Sequence, residues 1–188
     1  MGPPALALAV LFAASPAGAQ TMPIGERIEQ CAACHGKDGV SELEKVPSLA
    51  GQPDFFILNQ LVLMREGVRP IEQMAAIVKE LTDGEIQALA AHFAKLAPRA
   101  SEEKVNAELA KRGAALSVRL RCGSCHGPNL AGEMQMPRLA RQRIDYMSAA
   151  MKDYRDNKRA GADTAITAVI FGLSDADIDA LAHYAAGK

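Results

Sequence analysis

The chain has 188 residues, a formal net charge of −1 and no Trp; 49% of it is apolar, 23% charged and only 4% aromatic. This balance excludes a disordered or fibrous chain and leaves one or two small globular domains, while the weak charge and scarce aromatics argue against nucleic acid as a partner. A domain of roughly 80 residues with so few large side chains is near the lower limit for a self-sufficient core, so a bound prosthetic group is an expected stabiliser.

Residues 1–20 carry no charge, run apolar from Ala5 to Ala14 and end in Ala17-Gly18-Ala19. This pattern reads as a secretory signal peptide. Its apolar run of about 10 residues falls short of the roughly 20 that span a bilayer, so no transmembrane anchor is expected after cleavage. Ile24, Ile28 and Cys31 then fall at helical spacing and lead into Cys31-Ala-Ala-Cys34-His35. Another helix follows Pro53-Asp54, with Phe55, Leu58, Leu61 and Val62 as its apolar face. Thr82 to Glu85 is a capping box ahead of Ile86, Leu89, Ala90 and Phe93. Residues 98–104 read as a linker between a first domain, 21–97, and a second, 105–188.

The second domain repeats the first in order. Cys122-Gly-Ser-Cys125-His126 follows Cys31–His35 at an offset of 91, and Pro137-Arg-Leu-Ala-Arg-Gln142 follows Pro47-Ser-Leu-Ala-Gly-Gln52 at 90. The segment from Arg155 to Arg159 matches Arg65 to Arg69, and Leu173-Ser174-Asp175 matches Leu81-Thr82-Asp83 at 92. Small slippages between motifs are what loops tolerate. No segment alternates in the manner of a strand, so the expected fold is all-α, two tandem copies of one domain. Residues 21–98 hold seven Lys and Arg against eleven Asp and Glu, net −4, and residues 99–188 hold fourteen against eleven, net +3. The molecule is expected to be a dipole that approaches charged partners in a preferred orientation.

Cys-x-x-Cys-His has a specific chemistry. Two thiols about one helical turn apart bond the two vinyl groups of one haem, and the next imidazole reaches the iron. Disulfides would leave the His after each pair and the repeat unexplained; a thioredoxin-type pair lacks its alternating strands and helices; the wide separation of the two pairs does not suit a zinc ribbon. Two covalently bound haem c groups are therefore expected, on Cys31 and Cys34 with His35, and on Cys122 and Cys125 with His126. Attachment of such haems places the exported chain in a bacterial periplasm.

Unchanged six-coordination favours fast electron transfer. Met74, in the approach to the last helix of the first domain, is the expected sixth ligand there, while Met64 reads as core. At the matching position of the second domain stands Ile166, which cannot bind iron. Met147 and Met151 read as core, Met136 lies on the proximal side next to Pro137, and the second sixth ligand is left unassigned. His92 and His183 read as surface or capping residues, and Lys152 and Lys158 as solvated. Arg65, Arg69, Arg155 and Arg159 are candidates for haem propionates or for surface ion pairs.

These residues resemble the diheme cytochrome c-four family, periplasmic carriers built of two class I cytochrome c domains, over essentially all of the mature chain. The resemblance implies His/Met ligation at both haems, a proline carbonyl of Pro47 and Pro137 bracing each proximal His, and redox partners such as a terminal oxidase, a quinol-oxidising complex or a periplasmic dehydrogenase. Ile166 departs from that pattern, and Arg141 in place of Gly51 departs from it less. Three functions follow: a free carrier of single electrons; a haem enzyme or small-ligand protein using an open second iron; and the electron-accepting subunit of a periplasmic dehydrogenase.

Overall fold

The computed structural model describes residue 2, residues 22–161 and residues 164–188. The expected signal peptide, residues 1–20, lies outside the described residues apart from Gly2. The first half contains α1 (Ile24–His35), α2 (Asp54–Arg65), α3 (Glu72–Val78) and α4 (Asp83–Lys95). In the second half come α5 (Ala107–Arg119), α6 (Gly123–His126), α7 (Ile144–Arg155), α8 (Thr164–Ile170) and α9 (Asp175–Ala186). Among the described residues there is no strand, only an isolated bridge between Glu133 and Met136, and no helix is long and apolar enough to cross a membrane.

Local sequence explains the helix ends. Both expected capping boxes form: Thr82 accepts from the Glu85 N–H and Ser174 from the Asp177 N–H, and each carboxylate accepts from the cap backbone in return. α1 stops at Gly36, whose φ of 84° is open only to glycine without strain. A Cβ there would also lie 2.1 Å from the Val40 carbonyl oxygen.

The first core gathers Ile57, Leu61, Val78, Leu81, Ile86, Leu89, Ala90 and Phe93. On α4 this is the expected face; on α2, Leu61 is buried and Leu58 and Val62 pack on the core as expected, but Ile57 joins them and Phe55 is 52% exposed. The α2 sequence is apolar on nearly every side, so its periodicity could not choose a face. Its far side is used as well: a Cβ on Gly161 would lie 3.6 Å from Leu63, which places α2 against the second half. The second core is built largely of alanines, Ala180, Ala182, Ala185 and Ala186, with Leu116, Leu130, Met147 and Leu181. Small residues let α5 and α9 approach closely, and Gly113 sits where a Cβ would be 2.0 Å from the Ala180 carbonyl oxygen.

The two halves differ in one element that matters for the site. α1 runs unbroken through Cys31 and His35, whereas Arg121, at φ 56°, separates α5 from the four-residue α6 that carries Cys125 and His126.

Repeat-equivalent residues join the halves reciprocally. Gln52 donates to the Arg138 carbonyl (2.8 Å) and accepts from the Arg138 N–H (3.0 Å). Gln142 donates to the Ser48 carbonyl (2.8 Å) and accepts from the Ser48 N–H (2.8 Å). Because Gln52 matches Gln142 and Ser48 matches Arg138, this is a pseudo-two-fold interface, the isologous contact of a dimer made within one chain. Arg138 further donates to the carbonyls of Ala50 and Gly51; burial, helped by Arg141, pushes its pKa down to about 10. Arg141 takes the left-handed backbone of its counterpart Gly51 (φ 58° against 65°) and donates to the carbonyls of Pro98 and Lys188. Glu103, in the segment joining the halves, accepts from the N–H groups of Ile144 and Asp145 and so caps α7.

Candidate functional site

Each Cys-x-x-Cys-His segment is presented on helix, so its side chains are placed by α1 and by the α5–α6 break. Cys31 and Cys122 are partly buried, Cys34 and Cys125 exposed, and no disulfide joins any two of them.

The imidazoles are built to a common plan. His35 Nδ1 lies 2.8 Å from the Pro47 carbonyl oxygen and His126 Nδ1 2.9 Å from that of Pro137. A carbonyl can only accept, so Nδ1 carries the proton in each ring and Nε2 keeps its lone pair. Burial holds both rings below the usual histidine pKa despite the opposing pull of the carbonyl, so both are neutral at pH 7. A neutral imidazole with one nitrogen tied back and the other free is what a metal ligand requires.

Met74 is the third residue of α3 and packs against the first core. Ile166 is the third residue of α8, a helix of the same length, and Val78 and Ile170 are buried at matching places. The two positions are thus equivalent along their helices as in sequence, and the second carries a hydrocarbon side chain where the first carries a thioether sulfur. Met147 is buried in the second core and Met151 packs on it, at the places that Ile57 and Leu61 occupy in the first. Met64 packs on the first core and Met134 is exposed.

Of the four arginines, Arg65 and Arg155 take surface ion pairs. Arg65 bonds Glu66, Asp83 and the Leu81 carbonyl; Arg155 bonds Asp156, Asp175 and the Leu173 carbonyl. Arg69 and Arg159 instead meet at the seam between the halves, where the Tyr146 phenol interacts with both. Arg69 donates to Gln60 Oε1 at 2.6 Å, but its buried Nε has no partner, and Arg159 lies over the Tyr154 ring at 4.6 Å. Two guanidinium groups with an unused buried donor suit an added carboxylate, such as the propionate of a haem. Sequence reasoning missed Tyr146. Its one signal was in the repeat, where Tyr146 stands against Phe56.

The other histidines are structural. His183 Nδ1 accepts from the Asn106 N–H at 3.1 Å, and His92 packs edge-on against Phe93. Lys158 is exposed, while Lys152 pairs with Asp175 and Asp179 rather than standing free in solvent.

Residues 110–186 match the family model described as cytochrome c, and residues 25–93 match that of the cbb3-type cytochrome c oxidase subunit III. The molecule is therefore a tandem of two c-type cytochrome domains, a class that implies covalently bound haem c. Cytochrome c4 of Pseudomonas aeruginosa is 31% identical over 166 residues, spanning 84% of this chain and 83% of that one. The thiosulfate dehydrogenase electron acceptor of Thiomonas intermedia is 29% identical over 192 residues, spanning 96% and 88%. The crystal structure of reduced cytochrome c4 from Pseudomonas stutzeri superimposes with a TM-score of 0.77 at 28% identity, covering 89% of this chain and 99% of that one. The chain belongs to the cytochrome c4 family of diheme electron-transfer proteins.

Proposed function

We propose that this protein is a periplasmic carrier that relays single electrons between redox partners through two unequal haem c groups. Its donors would be a dehydrogenase or quinol-oxidising complex, and its acceptors a terminal oxidase or reductase. Bound haem c supplies reversible one-electron exchange at its iron. Cys31 and Cys34 hold one haem by thioether bonds, Cys122 and Cys125 the other, and His35 and His126 give the proximal nitrogens. Pro47 and Pro137 fix the ring orientation and tautomer of those histidines. Met74 supplies the sixth ligand in the first domain, and Ile166 leaves that position of the second without a thioether. Arg69 and Arg159 pair with propionates.

The observation that carries this reading is the repeated neutral imidazole, buried at His35 and half-buried at His126, tied through Nδ1 to a proline carbonyl directly after a Cys-x-x-Cys pair. The pyridine haemochrome spectrum of the purified protein is expected to count two c-type haems per chain, both retained through acid–acetone extraction. One haem per chain, or extractable haem, would overturn it.

Ile166 favours a second reading, in which the second iron binds carbon monoxide, nitric oxide or peroxide. Reduced protein would then take up about one equivalent of carbon monoxide. Against an enzyme, the apolar Ile166 cannot polarise a bound oxygen species. Similarity to a thiosulfate dehydrogenase electron acceptor supports a sulfur-compound dehydrogenase as the donor; reduction of the protein by such an enzyme with thiosulfate, and not by thiosulfate alone, is the expected result.

A further inference from the structure

The peptide groups that brace the proximal histidines are bonded at both ends. The Pro47 carbonyl accepts from His35 Nδ1 at 2.8 Å, and the N–H of that same peptide group, carried by Ser48, donates to Gln142 Oε1 at 2.8 Å. In the second half the Pro137 carbonyl accepts from His126 Nδ1 at 2.9 Å, and the N–H of its peptide group, carried by Arg138, donates to Gln52 Oε1 at 3.0 Å. A trans peptide points its C=O and its N–H in opposite directions. Each group therefore bridges an imidazole of its own half to a glutamine of the other.

The glutamine amides fit only one way round. A backbone N–H can only donate, so the amide oxygens must face Ser48 and Arg138, and Gln142 Oε1 also accepts from the Arg143 N–H at 2.9 Å. Their Nε2 groups then reach the carbonyls of Ser48 and Arg138, both at 2.8 Å. Ser48, Gln52, Arg138 and Gln142 are all buried, which keeps water from taking the place of the glutamine and strengthens each bond in a low local dielectric. Hydrogen bonds in a chain polarise one another, so a peptide whose N–H is donated holds more negative charge on its carbonyl oxygen. That oxygen is a better acceptor for Nδ1–H, and the imidazole becomes more basic at Nε2.

We infer that Gln142 and Gln52 are positioning residues for the haem of the opposite half: each fixes and polarises the peptide group that holds the proximal histidine, and so sets how strongly that histidine donates to iron. The inference rests on the diheme reading above and adds to it two residues and a crossed arrangement. A more basic axial imidazole favours ferric over ferrous iron and lowers the potential. Loss of the Gln142 amide therefore raises the potential of the first haem, and loss of the Gln52 amide raises that of the second.

Spectroelectrochemical titration of the diheme protein as Gln142→Met and Gln52→Met tests this, since Met keeps the length of the side chain and loses its hydrogen bonds. The two midpoints are assigned with Met74→Ala, which alters the first haem. Gln142→Met is expected to raise the first midpoint and leave the second in place, and Gln52→Met to do the reverse. Gln142→Glu, which keeps an acceptor oxygen for the Ser48 N–H, is expected not to raise the first midpoint. Midpoints unmoved in the Met variants, or moved at the haem of the mutated half or at both haems alike, would overturn the inference. An equal rise in Gln142→Met and Gln142→Glu would overturn it too, and reduce the glutamine to a contact between the halves. Two c-type haems per chain in the pyridine haemochrome of the same samples keep the carrier reading apart from this outcome.

Discussion

Arg27 and Glu85 pair at 2.9 Å with side chains only 7% and 9% exposed, and they show how one residue ties α1 to α4. Glu85 also serves the capping box, and the Thr82 N–H, then Arg27, then the Thr82 hydroxyl hold its carboxyl below its ordinary pKa of 4.5. A depressed folded pKa contributes stability that is present above the ordinary value and lost as pH falls through the folded one. Acid titration of urea stability is therefore expected to fall below about pH 4.5 in the wild type, and to fall less steeply in Glu85→Gln. Arg27→Ala, which leaves a buried carboxylate unpaired, is expected to cost about 3 kcal/mol in the same assay at pH 7. At the second haem, Ile166→Met restores the thioether that the matching position of the first domain carries. It is expected to turn the second haem low-spin and raise its potential.

At the scale of the helix, α5 and α9 meet through Gly113, and nothing else fits against the Ala180 carbonyl. Gly113→Ala is expected to lower stability by about 1–3 kcal/mol in urea denaturation, since a Cβ must force the helices apart. Gly84→Ala, in the first turn of α4 with open space around it, is expected instead to be neutral or to gain up to about 1 kcal/mol. The elements most legible in the sequence were those with local signals: the capping boxes of Thr82 and Ser174, and the buried stripe of Ile86, Leu89, Ala90 and Phe93. The buried face of α2 was only partly legible: Leu58, Leu61 and Val62 pack as expected, but Ile57 and Phe55 exchange roles, because an all-round apolar helix carries little periodic preference and its second partner comes from residues about 100 positions away. The break at Arg121 was not legible, since its left-handed backbone has no glycine to announce it. The site divided the same way. The cysteines, histidines and Met74 stood out through motif and repeat, whereas Tyr146 acts only where two distant halves meet.

For the whole molecule, the repeat becomes an internal dimer, and Gln52 and Gln142 are its fasteners. Each satisfies one buried N–H and one carbonyl of the other half. Gln52→Ala and Gln142→Ala are each expected to cost about 1–3 kcal/mol and to split a single thermal transition into two, as the halves lose their hold on one another. An acidic half, net −4, joined to a basic half, net +3, gives the carrier a dipole whose steering weakens as salt rises.

The two haems are expected to be unequal because Met74 has no counterpart at Ile166. Electron paramagnetic resonance of the ferric protein, read beside its absorption spectrum, tests this most directly. One low-spin His/Met signal together with one high-spin or differently ligated signal is the expected result; two matching low-spin His/Met signals would contradict it.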